Sequence, residues 1–477
     1  FLIITGYQLL VANNRSSAPV PAAQPEIAAT GLDPVVETQE AVIADQPAPA
    51  TPPVEPSAGD TGPGAMLRPV TSGGEVTVTV HTPLYDVTLA GRGARIASWQ
   101  GLEYANPDGR PVELIPQGEE AVAYGFDAVA FNAANMELGR LLFTTDAPAR
   151  LEVVGEARSV VFRLRTEGDL EIRKTYTFNP DSYEIMLDLD VAAVGPQATT
   201  ARSLLGLPRQ VRFGWPQGIA STEGNDRLET AAFRSFAKVG EELTLKKRGG
   251  LQKSVDKVEG AFSGTVVFAG VQNKYFTIVG LPFQGEGQSV QGTVILSGDQ
   301  PRMLQTWAME LPLESGTPGS DAFASSRLAL YIGPQDSEIL KAYGNGLDRT
   351  MDLGWALFRP LTEATLWIMD QMRRFIPNYG VIIILFSVLT KLMFYPLTRT
   401  STQSMKKMQL LQPKIKALQE KYKDNQEKQS KAMMELYKKE KVNPMAGCLP
   451  LLLQMPVFVA LYQALAHTIA LRNTPFV

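Results

Sequence analysis

The sequence is poor in the residues that build metal, redox and nucleophilic sites. It has one cysteine, Cys448, and two histidines, His81 and His467, among 477 residues. One cysteine excludes an intrachain disulfide or a CxxC motif, and two histidines argue against a histidine-based metal centre. P-loop, GxSxG and HExxH motifs are absent, and no carboxylate pair is convincing. We therefore expect a protein that is not an enzyme and that uses neither metal nor cofactor.

Positive charge is missing from one part of the chain and concentrated in another. Residues 19–63 contain seven acidic residues and no Lys or Arg, whereas residues 399–441 contain twelve Lys or Arg and five acidic residues, a local charge of +7. The formal net charge of −4 hides this difference. Such asymmetry indicates a chain sorted across a membrane and gives no sign of nucleic-acid specificity, for which basic residues would be interleaved with aromatic ones.

The N-terminal region contains little that could form a folded core. Residues 1–12 are mostly apolar but shorter than a membrane span, and we interpret them as the remnant of a first transmembrane helix. Residues 13–65 carry ten prolines and many alanines. This composition predicts a disordered linker on the outer side of the membrane.

Residues 66–346 alternate apolar and polar positions with a period of two. Val78 and Val80 are separated by Thr79, and Ile185, Leu187 and Leu189 follow the same pattern. Turn signals separate the strand-length runs, and no long amphipathic helix interrupts them. We therefore predict a large exported all-β sandwich.

Helical periodicity begins after this domain. Residues 347–376 place apolar residues on one stripe and predict an amphipathic helix at the membrane interface; the stripe comprises Leu353, Leu357, Leu361, Ala364, Ile368 and Met372. Residues 377–399 and 446–469 each contain an apolar run long enough to span a bilayer. The basic segment between them, residues 400–445, predicts a cytoplasmic helical hairpin, so residues 470–477 would begin a loop on the outer side.

Lys391 is the most informative residue of the first predicted span. It lies eight residues before Arg399, about 12 Å along a helix, and an ionised side chain exposed to lipid there would be costly. Ser387 and Tyr395 share its helix face, and Gln454 of the second span could complete a polar wall. We predict a hydrophilic groove open to the cytoplasm. The alternative is a lysine that extends to lipid phosphates at the membrane surface.

The basic hairpin carries more positive charge than membrane orientation requires. Apolar residues, among them Leu410, Leu411, Met433 and Met434, could pair the two helices with each other. This would leave five lysines for recruitment of a ribosome-bound substrate: Lys406, Lys407, Lys414, Lys416 and Lys421. A purely orienting role for the hairpin is the alternative.

Several motifs resemble the YidC/Oxa/Alb family of membrane protein insertases, in its Gram-negative form with a large periplasmic domain. They are LDRTMDLGWALFRP (347–360), YPLT (395–398), LQPKIKALQEKY (411–422), LYKKEKVNP (436–444), GCLPLLLQMPVF (447–458) and ALY (460–462). The resemblance implies a periplasmic β-supersandwich and a transmembrane bundle around a hydrophilic groove, of which the later helices are absent from this sequence. It also implies that the groove's positive residue, usually arginine in the family, is Lys391, and that its polar neighbour one turn earlier is Ser387.

This resemblance implies an insertase and folding chaperone in the bacterial inner membrane. Its expected partners are nascent membrane proteins, the ribosome, the Sec translocon with its accessory subunits, and membrane lipids. Two other hypotheses remain open. A solute transporter would use Lys391 in its binding site but should carry further charges in the two spans, and these are absent. A membrane-anchored carbohydrate enzyme would need an acid pair in the β-domain.

Overall fold

A computed structural model describes residues 62–70, 73–106, 108–117, 127–223, 232–247, 258–283, 289–299, 304–315, 321–354, 357–376, 378–423, 425–440, 449–469 and 472. The predictions for residues 1–12 and for most of 13–65 lie outside these ranges. The end of the expected linker differs from the prediction, because Pro63–Met66 forms a short helix in which Ala65 is buried. Residues 63–65, which we assigned to the linker, are therefore helical.

The described residues between 77 and 334 form twenty strands, which make up a β-domain. The strands are β1 (Thr77–His81), β2 (Tyr85–Ala90), β3 (Arg95–Ala105), β4 (Pro111–Glu113), β5 (Ala128–Ala130), β6 (Asn135–Glu137), β7 (Thr144–Thr145), β8 (Arg150–Glu152), β9 (Arg158–Arg165), β10 (Leu170–Phe178), β11 (Glu184–Ala193), β12 (Gln210–Trp215), β13 (Arg234–Val239), β14 (Glu242–Lys247), β15 (Val258–Gln272), β16 (Phe276–Phe283), β17 (Val290–Asp299), β18 (Leu304–Pro312), β19 (Glu314–Ser315) and β20 (Ala322–Pro334). The prediction of a large all-β domain is confirmed.

The strands belong to two sheets. The smaller has the order β4-β3-β2-β1-β8, and the larger follows the path β6-β5-β12-β18-β17-β15-β16-β20-β11-β10-β9-β7. Their pairing is antiparallel except between β1 and β8. One continuous apolar core joins the two sheets. The apolar positions of the alternating pattern point into this core, since Val78, Val80, Ile185 and Leu189 are fully buried.

The described helices lie mostly after the β-domain. They are α1 (Pro63–Met66), α2 (Ala198–Leu205), α3 (Ser337–Ala342), α4 (Arg359–Arg373), α5 (Tyr379–Lys421), α6 (Gln426–Lys439) and α7 (Leu449–His467), with 3-10 turns at Leu138–Arg140 and Leu347–Thr350. We expected the span to end near residue 399 and a separate helix to start near 403. Instead α5 is continuous, at about 65 Å for 43 residues.

Side chains of β13 hold the segment between the β-domain and α4 in place. Arg234 of β13, almost fully buried, pairs with Asp352, and Lys238 Nζ donates to the backbone oxygen of Asn345 at 2.9 Å. Leu347 and Leu353 belong to the core of the β-domain. Because these contacts immobilise the segment, the start of α4 is positioned by the β-domain.

The buried face of α4 differs from the apolar stripe predicted for it. Its buried residues are Thr362, Thr365 and Met369, whereas Ile368 and Met372 of the predicted stripe are only partly buried. Thr365 donates its hydroxyl to the Leu361 oxygen at 2.9 Å, so the threonine can be buried at little cost. α4 packs closely on α7, whose residues Ala460 and Ala464 are also buried. Small side chains on both helices allow this close approach.

Candidate functional site

The candidate site lies on the two apolar helices, α5 and α7. Among the described residues, α5 is the one helix that is long and apolar enough to cross a membrane, and α7 has a shorter apolar stretch, Leu453–Ala466. Asn378 caps α5 by accepting a hydrogen bond from the Val381 backbone N–H at 3.2 Å. The start of the apolar run therefore coincides with the start of the helix.

α4, α5 and α7 meet in a small apolar cluster at the end of the helices nearest the β-domain. Met369 of α4 and Tyr379, Ile382 and Phe386 of α5 are buried in it, with Leu461 and Leu465 of α7 packed against them. The N-terminal end of α5 thus meets the C-terminal end of α7, and the two helices run antiparallel. Farther from the β-domain, their faces are more exposed.

Lys391 lies beyond this cluster. Its side chain is exposed, and Tyr395 on the same face is 62% exposed. Ser387, one turn earlier, is half-buried and donates its hydroxyl to the Ile383 backbone oxygen at 2.8 Å. The serine therefore uses its proton within its own helix, and only its oxygen lone pairs can accept a hydrogen bond from a substrate.

Gln454 of α7 is exposed, and counting residues along the two helices from their shared cluster indicates a depth similar to that of Lys391. Phe386 and Leu461 both belong to the cluster and serve as reference points. Lys391 is five residues beyond Phe386, which is about 7.5 Å along α5. Gln454 is seven residues before Leu461, which is about 10 Å along the antiparallel α7 in the same direction. Gln463, nine residues after Gln454, packs instead on Gly354. A side chain at position 354 would meet Gln463, because the Gln463 Cγ lies 3.0 Å from where a Cβ would be.

Hydroxyl groups follow Lys391 where α5 contains Pro396. The Thr398, Thr400, Thr402 and Ser404 hydroxyls donate to backbone oxygens one turn earlier, at 2.9–3.1 Å. Proline removes one backbone donor and disturbs the helix locally. α5 nevertheless continues past Pro396 to Lys421.

The C-terminal half of α5 lies against α6. Lys414 Nζ and Glu440 Oε1 are 2.7 Å apart, and this contact lowers the pKa of Glu440. The inward row of α5 consists of residues that are buried or half-buried: Ser401, Ser404, Met408, Leu411, Ile415, Leu418 and Tyr422. Leu410 and Met434, which we expected between the helices, are 78% and 57% exposed. All five lysines expected to recruit a substrate are exposed, and Lys414 is in addition paired with Glu440.

Sequence reasoning missed the residues that attach the helices to the β-domain. Arg472, which follows α7, is almost fully buried and donates to Glu223 Oε1 and to the Thr222 backbone oxygen, both at 2.7 Å. Its guanidinium also lies 5.7 Å from the Phe276 ring centroid. A lone arginine after an apolar helix offers no local signal of a partner so distant in sequence.

Comparison with known proteins decides the family. A family model described as the YidC periplasmic domain matches residues 77–367, and one described as the 60Kd inner membrane protein matches residues 371–477. The chain belongs to the YidC family. A protein of Pelobacter propionicus named membrane protein insertase YidC is 36% identical over 429 residues, covering 88% of this chain and 74% of the relative. One of Geobacter metallireducens with the same name is 33% identical, covering 99% and 80%.

Solved structures resemble the YidC-type β-domain only weakly. A putative aldose 1-epimerase of Escherichia coli is 10% identical and has a TM-score of 0.32, covering 54% of this chain and 99% of the epimerase. An alpha-N-acetylgalactosaminidase of Bifidobacterium bifidum is 10% identical with a TM-score of 0.35, covering 56% and 38%. Similarity at this level supports no inference about a ligand or a reaction. The family assignment instead identifies the β-domain as the periplasmic domain of an inner-membrane protein.

Proposed function

We propose that this chain is a membrane protein insertase of the bacterial inner membrane. The observation that carries the proposal is its identity of 33–36% with proteins named membrane protein insertase YidC over most of its length. The β-domain would lie in the periplasm, α4 at the membrane surface, and α5 and α7 across the bilayer. Attachment of Arg472 to the β-domain supports this topology, because it places the end of α7 and the start of α5 on the same side.

The proposed groove is formed by Lys391, Ser387 and Tyr395 of α5 and Gln454 of α7. A nascent segment with a short polar tail would enter from the cytoplasm, and its tail would rest near the ammonium group of Lys391. Its apolar part would move along the aliphatic side of the helices into lipid. Burial of apolar surface in the bilayer would supply the free energy, and the groove would lower the barrier for the polar tail, so no nucleotide is required.

The helical pair formed by the end of α5 and α6 would lie in the cytoplasm and recruit the ribosome-bound substrate. Its exposed lysines, Lys406, Lys407, Lys416 and Lys421, are suited to contact an anionic surface. α5 is continuous from Lys391 to these lysines, so one helix connects the proposed groove to the cytoplasmic pair. Cooperation with the Sec translocon and a chaperone role in folding belong to the same proposal.

The direct test is photocrosslinking from position 391 to a stalled nascent membrane protein in intact membranes. An adduct with the nascent chain supports the insertase, and a matched probe at the lipid-facing Leu392, which is 66% exposed, controls for contacts through lipid. Labelling by a small solute, with no nascent-chain adduct from position 391, would favour a transporter instead.

A further inference from the structure

A cavity of about 460 Å³ lies between the end of the β-domain, α4 and the adjoining ends of α5 and α7. Its size is in the range of sites that hold small molecules or parts of larger ligands. Its lining combines charged residues, among them Asp336, Asp370 and Arg373, with apolar ones, among them Leu353, Leu366 and Ile469. A second cavity, of about 210 Å³, shares part of this lining and extends to Lys341 and Trp367.

Charges of both signs converge on the larger cavity. Asp336 and Glu338 belong to the start of α3, Asp370 to α4, and the guanidinium groups of Arg373 and Arg374 lie at the end of α4. Burial raises the pKa of Asp370, and the carboxylates of Glu338 and Asp336 raise it further, while Arg373 and Lys341 oppose them. A cation bound beside Asp370 would relieve this excess of negative charge.

The position of the cavity indicates the layer of the membrane that it faces. Tyr379 is the first residue of α5, and Thr468 directly follows the last residue of α7. Both apolar helices therefore end at the cavity, at the level where lipid headgroups meet hydrocarbon. Trp367 of the second cavity is 64% exposed, and tryptophan is enriched at this boundary.

We propose that this cavity binds the headgroup of a zwitterionic phospholipid with a primary ammonium group. The ammonium would face the carboxylates of Asp336, Glu338 and Asp370, and the phosphate would face Arg373 and Arg374. Leu353, Leu366 and Ile469 would contact the glycerol and the first methylenes of the acyl chains. An anionic headgroup or an acidic peptide tail fits less well, because three carboxylates would repel it. The proposal rests on the membrane placement given above.

Titration of the purified full-length protein with dioleoyl phosphatidylethanolamine or phosphatidylglycerol, followed by native mass spectrometry, tests the selectivity. We expect about a threefold to fivefold preference for the ethanolamine lipid, as for partly exposed ion pairs. Asp370→Asn should abolish the preference, and Asp370→Glu should retain it. The double variant Arg373→Gln/Arg374→Gln should weaken the binding of both lipids. Arg399→Gln, at an exposed arginine of α5 outside both cavities, is the matched control.

Competition separates a lipid site from a phosphate site. Soluble phosphoethanolamine should displace the lipid, whereas displacement by inorganic phosphate at the same concentration would reduce the cavity to a phosphate site and overturn the proposal. Equal binding of both lipids by the unmodified protein would also overturn it. A photocrosslinker at position 367 in membranes should label lipid, and an adduct with nascent chain alone would contradict the assignment. None of these outcomes affects the crosslink expected from position 391, so the insertase proposal is tested separately.

Discussion

Arg472 Nε donates to the carboxylate of Glu223 at 2.7 Å across 249 residues of sequence, and Nη2 of the same guanidinium donates to the backbone oxygen of Thr222. Ile469, three residues earlier, is buried in the core of the β-domain. The end of α7 is thus held on the β-domain by this ion pair, by the hydrogen bond to Thr222 and by apolar packing of Ile469. The periplasmic domain therefore positions the helix bearing Gln454.

Arg472→Ala should loosen this attachment. The change removes a largely buried ion pair and the hydrogen bond to Thr222, so it should destabilise the protein. We expect faster hydrogen exchange over residues 460–472 and a lower Tm. Arg472→Lys should recover only part of the loss, because one ammonium cannot reproduce the fork that reaches both Glu223 and Thr222. Equal hydrogen exchange in Arg472→Ala and the unmodified protein would contradict the role of this pair.

The charge at position 391 should govern the insertion of substrates with acidic tails. Lys391→Arg should retain activity, Lys391→Ala should impair acidic tails more than neutral ones, and Lys391→Glu should be worst. Lys391→Glu replaces attraction of an acidic tail by repulsion. In surroundings of low dielectric constant this difference can amount to roughly a few kcal/mol. The measurement is the insertion efficiency of a matched pair of substrates, one with an acidic and one with a neutral tail.

Lys391→Gln is the deciding control for that series. If the lysine serves only to hydrate the groove, glutamine should support both substrates as well as lysine does. Equal losses for the two tails across the series would exclude charge pairing and leave a hydrated groove.

Neutralising the exposed lysines of the helical pair should impair substrate recruitment. We expect the variant with glutamine at positions 406, 407, 416 and 421 to show weaker ribosome binding, with a reduced dependence on salt. The double variant Lys414→Gln/Glu440→Gln removes an exposed ion pair without changing the net charge and should bind ribosomes normally.

Replacing residues 406–440 by a short linker should abolish insertion while the β-domain stays accessible to external protease. Normal insertion by this variant would refute the recruiting role.

Asp370→Asn should stabilise the protein without lipid at neutral pH. The folded state raises the pKa of Asp370, first through burial and then through Glu338 and Asp336, so its ionised form is disfavoured. This penalty is absent below the ordinary carboxyl pKa and develops as the pH rises towards the raised one. The gain in Tm should therefore be present at pH 7.5 and vanish near pH 3. A gain of the same size at both values would show that the effect is not electrostatic.

The alternating runs of the β-domain could be read from the sequence because each strand has one face in a shared core. Tyr183, Ile185, Leu187, Leu189 and Val191 are all buried, as their period of two predicts. The order of the strands could not be read in this way. β16 pairs with β20 and β5 with β12, and these pairings depend on packing between segments far apart in the chain.

The face of α4 illustrates why periodicity alone misplaces contacts. Hydrophobicity favoured a stripe through Ile368 and Met372, which are only partly buried, whereas Thr362, Thr365 and Met369 are buried. Thr362 and Thr365 direct their hydroxyls to backbone oxygens one turn earlier, which satisfies these groups on a buried face, whereas leucine in an interfacial helix can remain at the surface. The choice between the two faces required the partner helix.

Local features of the sequence determined the β-rich domain, the apolar run of α5, the basic segment and the unusual place of Lys391, because each depends on periodicity, composition or charge within about 20 residues. The tertiary structure alone decided that α5 continues to Lys421, that Arg472 reaches Glu223 and that Asp336, Asp370 and Arg373 share one cavity. The residues of the ion pair and of the cavity are far apart in the chain, and the sequence around each of them gives no indication of its partner. Only the packing of the whole chain brings them together.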